Sequence, residues 1–185
     1  MNQDKPFFIM LSGLPCSGKT RFISTELVPY LTDAGIYAEV LTTDAVVDYC
    51  AAIKRKTYSE VFKDVISPAQ SIIEAQLQLT SYVKGNIILD QTNLTYKTRG
   101  HKLNLLRNRD EYHTICITFP IEEDVLAKRL LERTASGKVI GQEVIEGMQG
   151  RMEPVTELDG FTDFLTVDEF RSKYMPKLLE ETTNA

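Results

Sequence analysis

The sequence predicts an α/β fold: a mostly parallel sheet with helices on both faces. Three observations predict it. Short, wholly apolar runs alternate with longer stretches of helical periodicity. A glycine-rich turn follows the first apolar run and opens a helix, as in a βα unit that binds phosphate. The chain has 185 residues, 43% of them hydrophobic and 25% charged, which suits one compact domain over residues 1–185.

The elements follow in order. Phe7-Phe8-Ile9-Met10-Leu11 is apolar throughout, the signature of a strand covered on both faces. Lys19 to Leu31 reads as a helix. Tyr37 to Leu41 is a second strand, opened by the turn at Asp33-Ala34-Gly35, and Ala45 to Ile53 is helical. Ser67-Pro68-Ala69-Gln70 carries a cap, a first-turn proline and a reciprocal Gln, so it predicts a helix start, with the stop at Gly85. Ile87-Ile88-Leu89 is a third strand ending at Asp90. Arg99 to Arg107 is helical, Thr114 to Phe119 a fourth strand and Glu122 to Arg133 a helix with acids first and bases last. A two-glycine loop, Ser136 to Gly141, leads to a helix over Glu143 to Met152. Phe164 to Val167 is a last strand, Asp168 caps a terminal helix, and the polar tail 180–185 is expected to fray.

Composition removes several function classes. No run approaches the roughly 20 apolar residues of a membrane span, and the apolar start is too short for a signal-peptide core. No membrane partner and a cytoplasmic location are therefore expected. Three cysteines, at 16, 50 and 116, show no paired spacing for disulfides or zinc. A net charge of -5 argues against a protein that coats nucleic acid, though not against a local basic groove.

Gly13-Leu14-Pro15-Cys16-Ser17-Gly18-Lys19-Thr20 matches G-x-x-x-x-G-K-[ST] in full. Glycines at 13 and 18 let the backbone curl, so that amides from Cys16, Ser17 and their neighbours point at phosphate oxygens. Lys19 is placed to bridge the terminal phosphates, and the Thr20 hydroxyl to bind Mg²⁺. Cys16 is read either as a space-filling side chain or as a reactive thiol at a helix start. The guanine signature N-K-x-D is absent, and the strand before Asp90 ends in Asp-Gln rather than Asp-Glu, so the water-polarising acid of a motor ATPase is missing. Asp90 is a candidate magnesium partner or a strand-end cap. Asp44, just past the second strand, falls at the carboxyl end of the sheet, where ligands bind, as general base or as helix N-cap. Arg129 and Arg133 share one helical face and precede the loop that carries Lys138. The pattern reads as a lid, about residues 129–145, bringing cations onto the phosphates, or as a solvated basic face. Lys97, Arg99, His101, Lys102, Arg107 and Arg109, flanked by Tyr96 and Tyr112, form a basic stretch that could bind nucleic acid or simply pair with nearby acids.

Taken in order, the phosphate loop, Thr43-Asp44, Asp90-Gln91-Thr92-Asn93-Leu94, Arg99, the Arg129/Arg133 helix and Lys138 resemble the 5′-kinase domain of phage polynucleotide kinase and its small P-loop kinase relatives, over about residues 7–155. The resemblance implies a P-loop kinase fold with a small helical lid. It implies ATP and Mg²⁺ as cofactors, and Asp44 as general base. Lys19, Thr20, Arg129 and Arg133 would act on the nucleotide, and Thr92, Asn93 and Arg99 would lie near the acceptor. It implies phosphorylation of the 5′-OH of DNA or RNA, single-stranded or at a duplex end, in the cytoplasm or, for a phage-encoded chain, the host's cytoplasm. Alternatives are a hydroxymethylated pyrimidine in phage DNA, a small nucleotide-like acceptor, or a nucleotide-binding module with little turnover. One departure bears on the acceptor: Val47 stands where polynucleotide kinases of the family carry an arginine that grips substrate phosphate.

Overall fold

A computed structural model describes residues 5–135 and 138–176. The expected fraying of 180–185 and the tip of the expected lid, residues 136 and 137, lie outside the described residues.

Five strands, β1 (Phe7–Ser12), β2 (Glu39–Thr42), β3 (Ile87–Asp90), β4 (His113–Thr118) and β5 (Asp163–Thr166), form one sheet in the order β2-β3-β1-β4-β5. Every pairing is parallel. The central β1 alternates its side chains between two cores. Phe7, Ile9 and Leu11 pack with Phe22, Leu27, Leu31 and Phe170 on one face. Phe8 and Met10 pack with Ile73, Leu77 and Leu103 on the other. Such a strand has no polar side, which explains its unbroken apolar run.

The first helical stretch is not uniform. α1 (Lys19–Phe22) passes through a π-helical turn, Ile23–Leu27, into α2 (Val28–Asp33), with Pro29 in the first turn of α2. Proline lacks the N–H for a regular bond and crowds the carbonyl four residues back, and a wider turn relieves both. α3 (Thr43–Lys54) is capped by Thr42, whose hydroxyl accepts the Asp44 N–H. The Asp44 carboxylate is therefore not used as the cap.

The largest departure from the sequence reading is α4 (Tyr58–Tyr82), a single 25-residue helix with Pro68 inside it. Its start is a capping box between Thr57 and Glu60. Val61, Val65, Ala69, Ile73 and Leu77 recur every four residues, and all are buried. That continuous stripe, packed partly on Val47 and Ala51 of α3, outweighs the roughly 3 kcal/mol cost of an interior proline. α5 (Tyr96–Asn104), capped by Thr95, starts three residues earlier than expected. α6 (Glu123–Ala135), α7 (Gln142–Gln149) and α8 (Val167–Tyr174), the last capped by Thr166 rather than Asp168, complete the helices. A small cluster of Leu14, Leu94, Leu126 and Ile145 fastens α6 and α7 to the loop after β1.

Candidate active site

The carboxyl ends of β1, β2 and β3 open on one side of the sheet, and the loop 13–18 curls there before α1. Gly18 adopts φ 105°, a left-handed conformation that side chains rarely tolerate. A Cβ on Gly13 would lie 3.0 Å from Phe119 and from Ser17 Oγ. Both glycines are thus required by the curl of the loop. Cys16 takes φ 64° within it, and its carbonyl accepts a bond from Arg129 Nη1 at 3.1 Å.

Lys19 is buried, its Nζ donating to the carbonyls of Gly13 at 2.9 Å and Leu14 at 2.7 Å. Burial pulls its pKa down to about 8, against the attraction of Asp90. A desolvated ammonium folded onto neutral carbonyls is suited to an incoming polyanion. The Thr20 hydroxyl donates to Asp90 Oδ2 at 2.6 Å, and burial raises the Asp90 carboxyl. This hydroxyl–carboxylate pair is a hard-oxygen donor set, which fits Mg²⁺.

Asp44 stands across the crevice. Its Oδ1 accepts from the Tyr58 hydroxyl at 2.7 Å, and its Oδ2 meets Arg133 Nη2 at 3.4 Å. Lys138 does not reach the loop. It pairs with Asp48 at 2.7 Å and lies 4.7 Å over the Tyr58 ring, while the Val139 N–H donates to Ser59 Oγ at 3.0 Å. The segment after α6 is thereby docked on the α3–α4 corner. Asp44, Arg133, Tyr58 and Lys138 meet there from α3, α6, α4 and the segment after α6.

Several expected site residues have other work. Arg99 is fully buried. Its Nε donates to Asp159 Oδ1 at 2.6 Å and Nη2 to Oδ2 at 3.2 Å, with further bonds to the carbonyls of Leu94, Glu153 and Pro154. With no surface and its donors engaged, Arg99 clamps the 153–159 segment and does not touch an acceptor. Asn93 is 1% exposed, sits in the left-handed region and donates to the Leu11 carbonyl at 2.8 Å. The Thr92 carbonyl accepts the Gly13 N–H at 2.9 Å. Both residues fasten the end of β3 to the phosphate loop, Asn93 by its buried side chain and Thr92 by its backbone, with the Thr92 side chain left half-buried. The basic stretch is divided: Lys102 is buried against Glu74 at 2.7 Å, His101 shares that carboxylate, and Tyr112 is buried with its hydroxyl on the Gly85 carbonyl, while Tyr96, Lys97 and Arg107 stay exposed. The Lys102 bond, against the opposing effect of burial, draws the Glu74 pKa down to about 2. Val47 is buried in the α3–α4 seam and faces no acceptor.

Tyr58, Asp48 and Asp159 carried no functional reading in the sequence. A usable signal existed for Tyr58: Thr57-Tyr58-Ser59-Glu60 is a capping box, which places that tyrosine at a helix start.

A family model described as "AAA domain" matches residues 8–155. No curated protein matches. Among solved structures, a proposed kinase from Chloroflexus aurantiacus J-10-fl is similar with TM-score 0.65 and 18% identity, over 99% of this chain and 97% of that one. A fungal RNA kinase is similar with TM-score 0.53 and 14% identity, over 95% and 90%. A gluconokinase from Sinorhizobium meliloti 1021 is similar with TM-score 0.52 and 15% identity, over 89% and 85%. These likenesses support a P-loop kinase-like α/β fold, and among the described residues no helix is long and apolar enough to cross a membrane.

Proposed function

The chain belongs to the AAA domain family, matched over residues 8–155, and on that premise we propose that it is an ATP-dependent kinase transferring the γ-phosphoryl group to a hydroxyl. The observation that carries this reading is the pairing, across one crevice, of the Lys19/Thr20–Asp90 cradle with the half-exposed carboxylate of Asp44. A cradle alone would serve a binding module; a carboxylate facing it supplies the proton acceptor that a kinase needs.

Lys19 leaves the loop carbonyls for the β- and γ-phosphates, regaining a charged partner. Thr20 and Asp90 would hold Mg²⁺, which would supply charge neutralisation on the phosphate oxygens. Arg129, already on the loop carbonyl of Cys16, and Arg133 stabilise charge on the transferring group. The segment from α6 to α7 acts as a lid, with Lys138 fastening it to the α3–α4 corner. Asp44 takes the hydroxyl proton.

For the acceptor we place first the 5′-OH of a polynucleotide, in the cytoplasm. The likeness in fold to an RNA kinase supports it. A second reading, a small neutral acceptor, is favoured by one observation: Val47 is buried, so position 47 offers no grip for a second phosphate.

The test is transfer of labelled γ-phosphate from Mg·ATP to a single-stranded oligonucleotide with a free 5′-OH. Asp44→Asn should lower the rate by roughly 10²- to 10⁴-fold with ATP binding retained. Wild-type protein that binds ATP but labels neither oligonucleotides, hydroxymethylated DNA nor small nucleosides would leave only a nucleotide-binding module.

A further inference from the structure

The general base proposed above has a partner that the phosphate-loop pattern does not contain. Tyr58 is the first residue of α4, so its backbone is set by the Thr57–Glu60 capping box. Its ring stacks in a tilted arrangement on Phe62, with centroids 5.6 Å apart, and is covered by Lys138. The hydroxyl of this twice-braced ring ends 2.7 Å from Oδ1 of Asp44.

Resting on the kinase reading, we infer that Tyr58 is the positioning residue for the base: its hydroxyl commits Oδ1 of Asp44 and thereby presents Oδ2 to the acceptor hydroxyl. A carboxylate on a short stem otherwise turns about its last torsion, and either oxygen could face the crevice. The hydrogen bond removes that freedom and leaves Oδ2 against Arg133, at 3.4 Å. As the guanidinium turns to the phosphates, Oδ2 becomes the open acceptor. The proton of the acceptor hydroxyl then passes to Oδ2 while its oxygen bonds to the γ-phosphorus. The bond from that phosphorus to the β–γ bridging oxygen breaks, and its electron pair leaves with ADP. Burial, then the bond to Asp44, raises the Tyr58 phenol above its ordinary value, so it remains a donor throughout the working pH range.

Tyr58→Phe tests this, because it keeps the ring under Lys138 and against Phe62 and removes only the donor. The expected result is a fall in kcat of about 10-fold or more, with KM for ATP and acceptor within about twofold of wild type. In an Asp44→Asn background the same change should produce no further loss, since the two act as one unit. A second readout needs no turnover. In protein labelled with ¹³C at the tyrosine ζ-carbon, the resonance that Tyr58→Phe removes should shift in Asp44→Asn. An unmoved resonance overturns the contact itself. Transfer by Tyr58→Phe equal to wild type overturns the positioning role, and so does a rise in acceptor KM alone, which would make Tyr58 a binding group. Wild-type protein inert toward every acceptor overturns this role and the kinase reading together, an outcome distinct from an active wild type matched by its variant.

Discussion

Two groups of cations, on α5 and on α6 with the segment after it, are built from the same residue types and used in opposite ways. On α5, Arg99 and Lys102 are 0% and 1% exposed, and each is locked to a carboxylate from another element. Beyond β4, the Arg133 side chain keeps 24% of its surface and faces Asp44 at the crevice, and Lys138 keeps 29% and faces Asp48 on the α3–α4 corner. The difference lies in desolvation. A fully buried cation must be matched by a fixed carboxylate, and once matched it has no donor to offer a ligand. A half-buried cation with a loose partner can exchange that partner for a phosphate.

The contrast can be broken or sharpened by substitution. The largest effect is expected on the crevice side: Arg133→Ala should lower kcat roughly 10³-fold or more, with the melting temperature little changed. A near-normal kcat would remove Arg133 from the transferring group. Arg99→Met should act the other way round. Leaving Asp159 buried without its cation should cost about 3–5 kcal/mol in urea unfolding, with kcat of the folded protein nearly intact. Lost activity without lost stability would return Arg99 to the site.

A smaller effect is expected from pH. Glu74 is depressed to about 2 in the folded chain from an ordinary 4.5. Its contribution to stability is therefore complete above about 4.5 and is lost as the pH falls from there toward 2. Glu74→Gln should flatten that part of the stability–pH curve, measured by denaturant midpoints, and an unchanged acid limb would mean the Lys102 pair is not formed in solution. The smallest change belongs to Lys138→Ala. A partly exposed pair with Asp48 should contribute at most about 1 kcal/mol to stability. If the segment it fastens works as a lid, turnover should still fall several-fold. Unaltered turnover would make the contact with Asp48 and the Tyr58 ring a surface pairing only.

The strands and the phosphate loop were legible because their causes are local. β1 is apolar on both faces, and the glycines and Lys19 of the loop sit within eight consecutive residues. The start of α4 was misread for a physical reason. Ser67-Pro68 has every local feature of a helix start, yet the apolar stripe from Val61 to Leu77 continues through it, and burial outweighs the local preference. The basic stretch was legible only as two alternatives, because charge along the chain does not reveal which side chains the fold desolvates: Lys102 is buried on Glu74, whereas Lys97 and Arg107 stay exposed.

The sequence by itself determined the alternating α/β order, the phosphate cradle and the presence of a carboxylate just beyond β2. Only the tertiary structure decided what those charges do. Arg99 meets Asp159 across 60 residues and Arg133 meets Asp44 across 89, while Tyr58 reaches Asp44 only because α3 and α4 pack side by side. A backbone curl is written in neighbouring residues, whereas the partner of a side chain depends on which distant elements the core brings together and which charges it buries on the way.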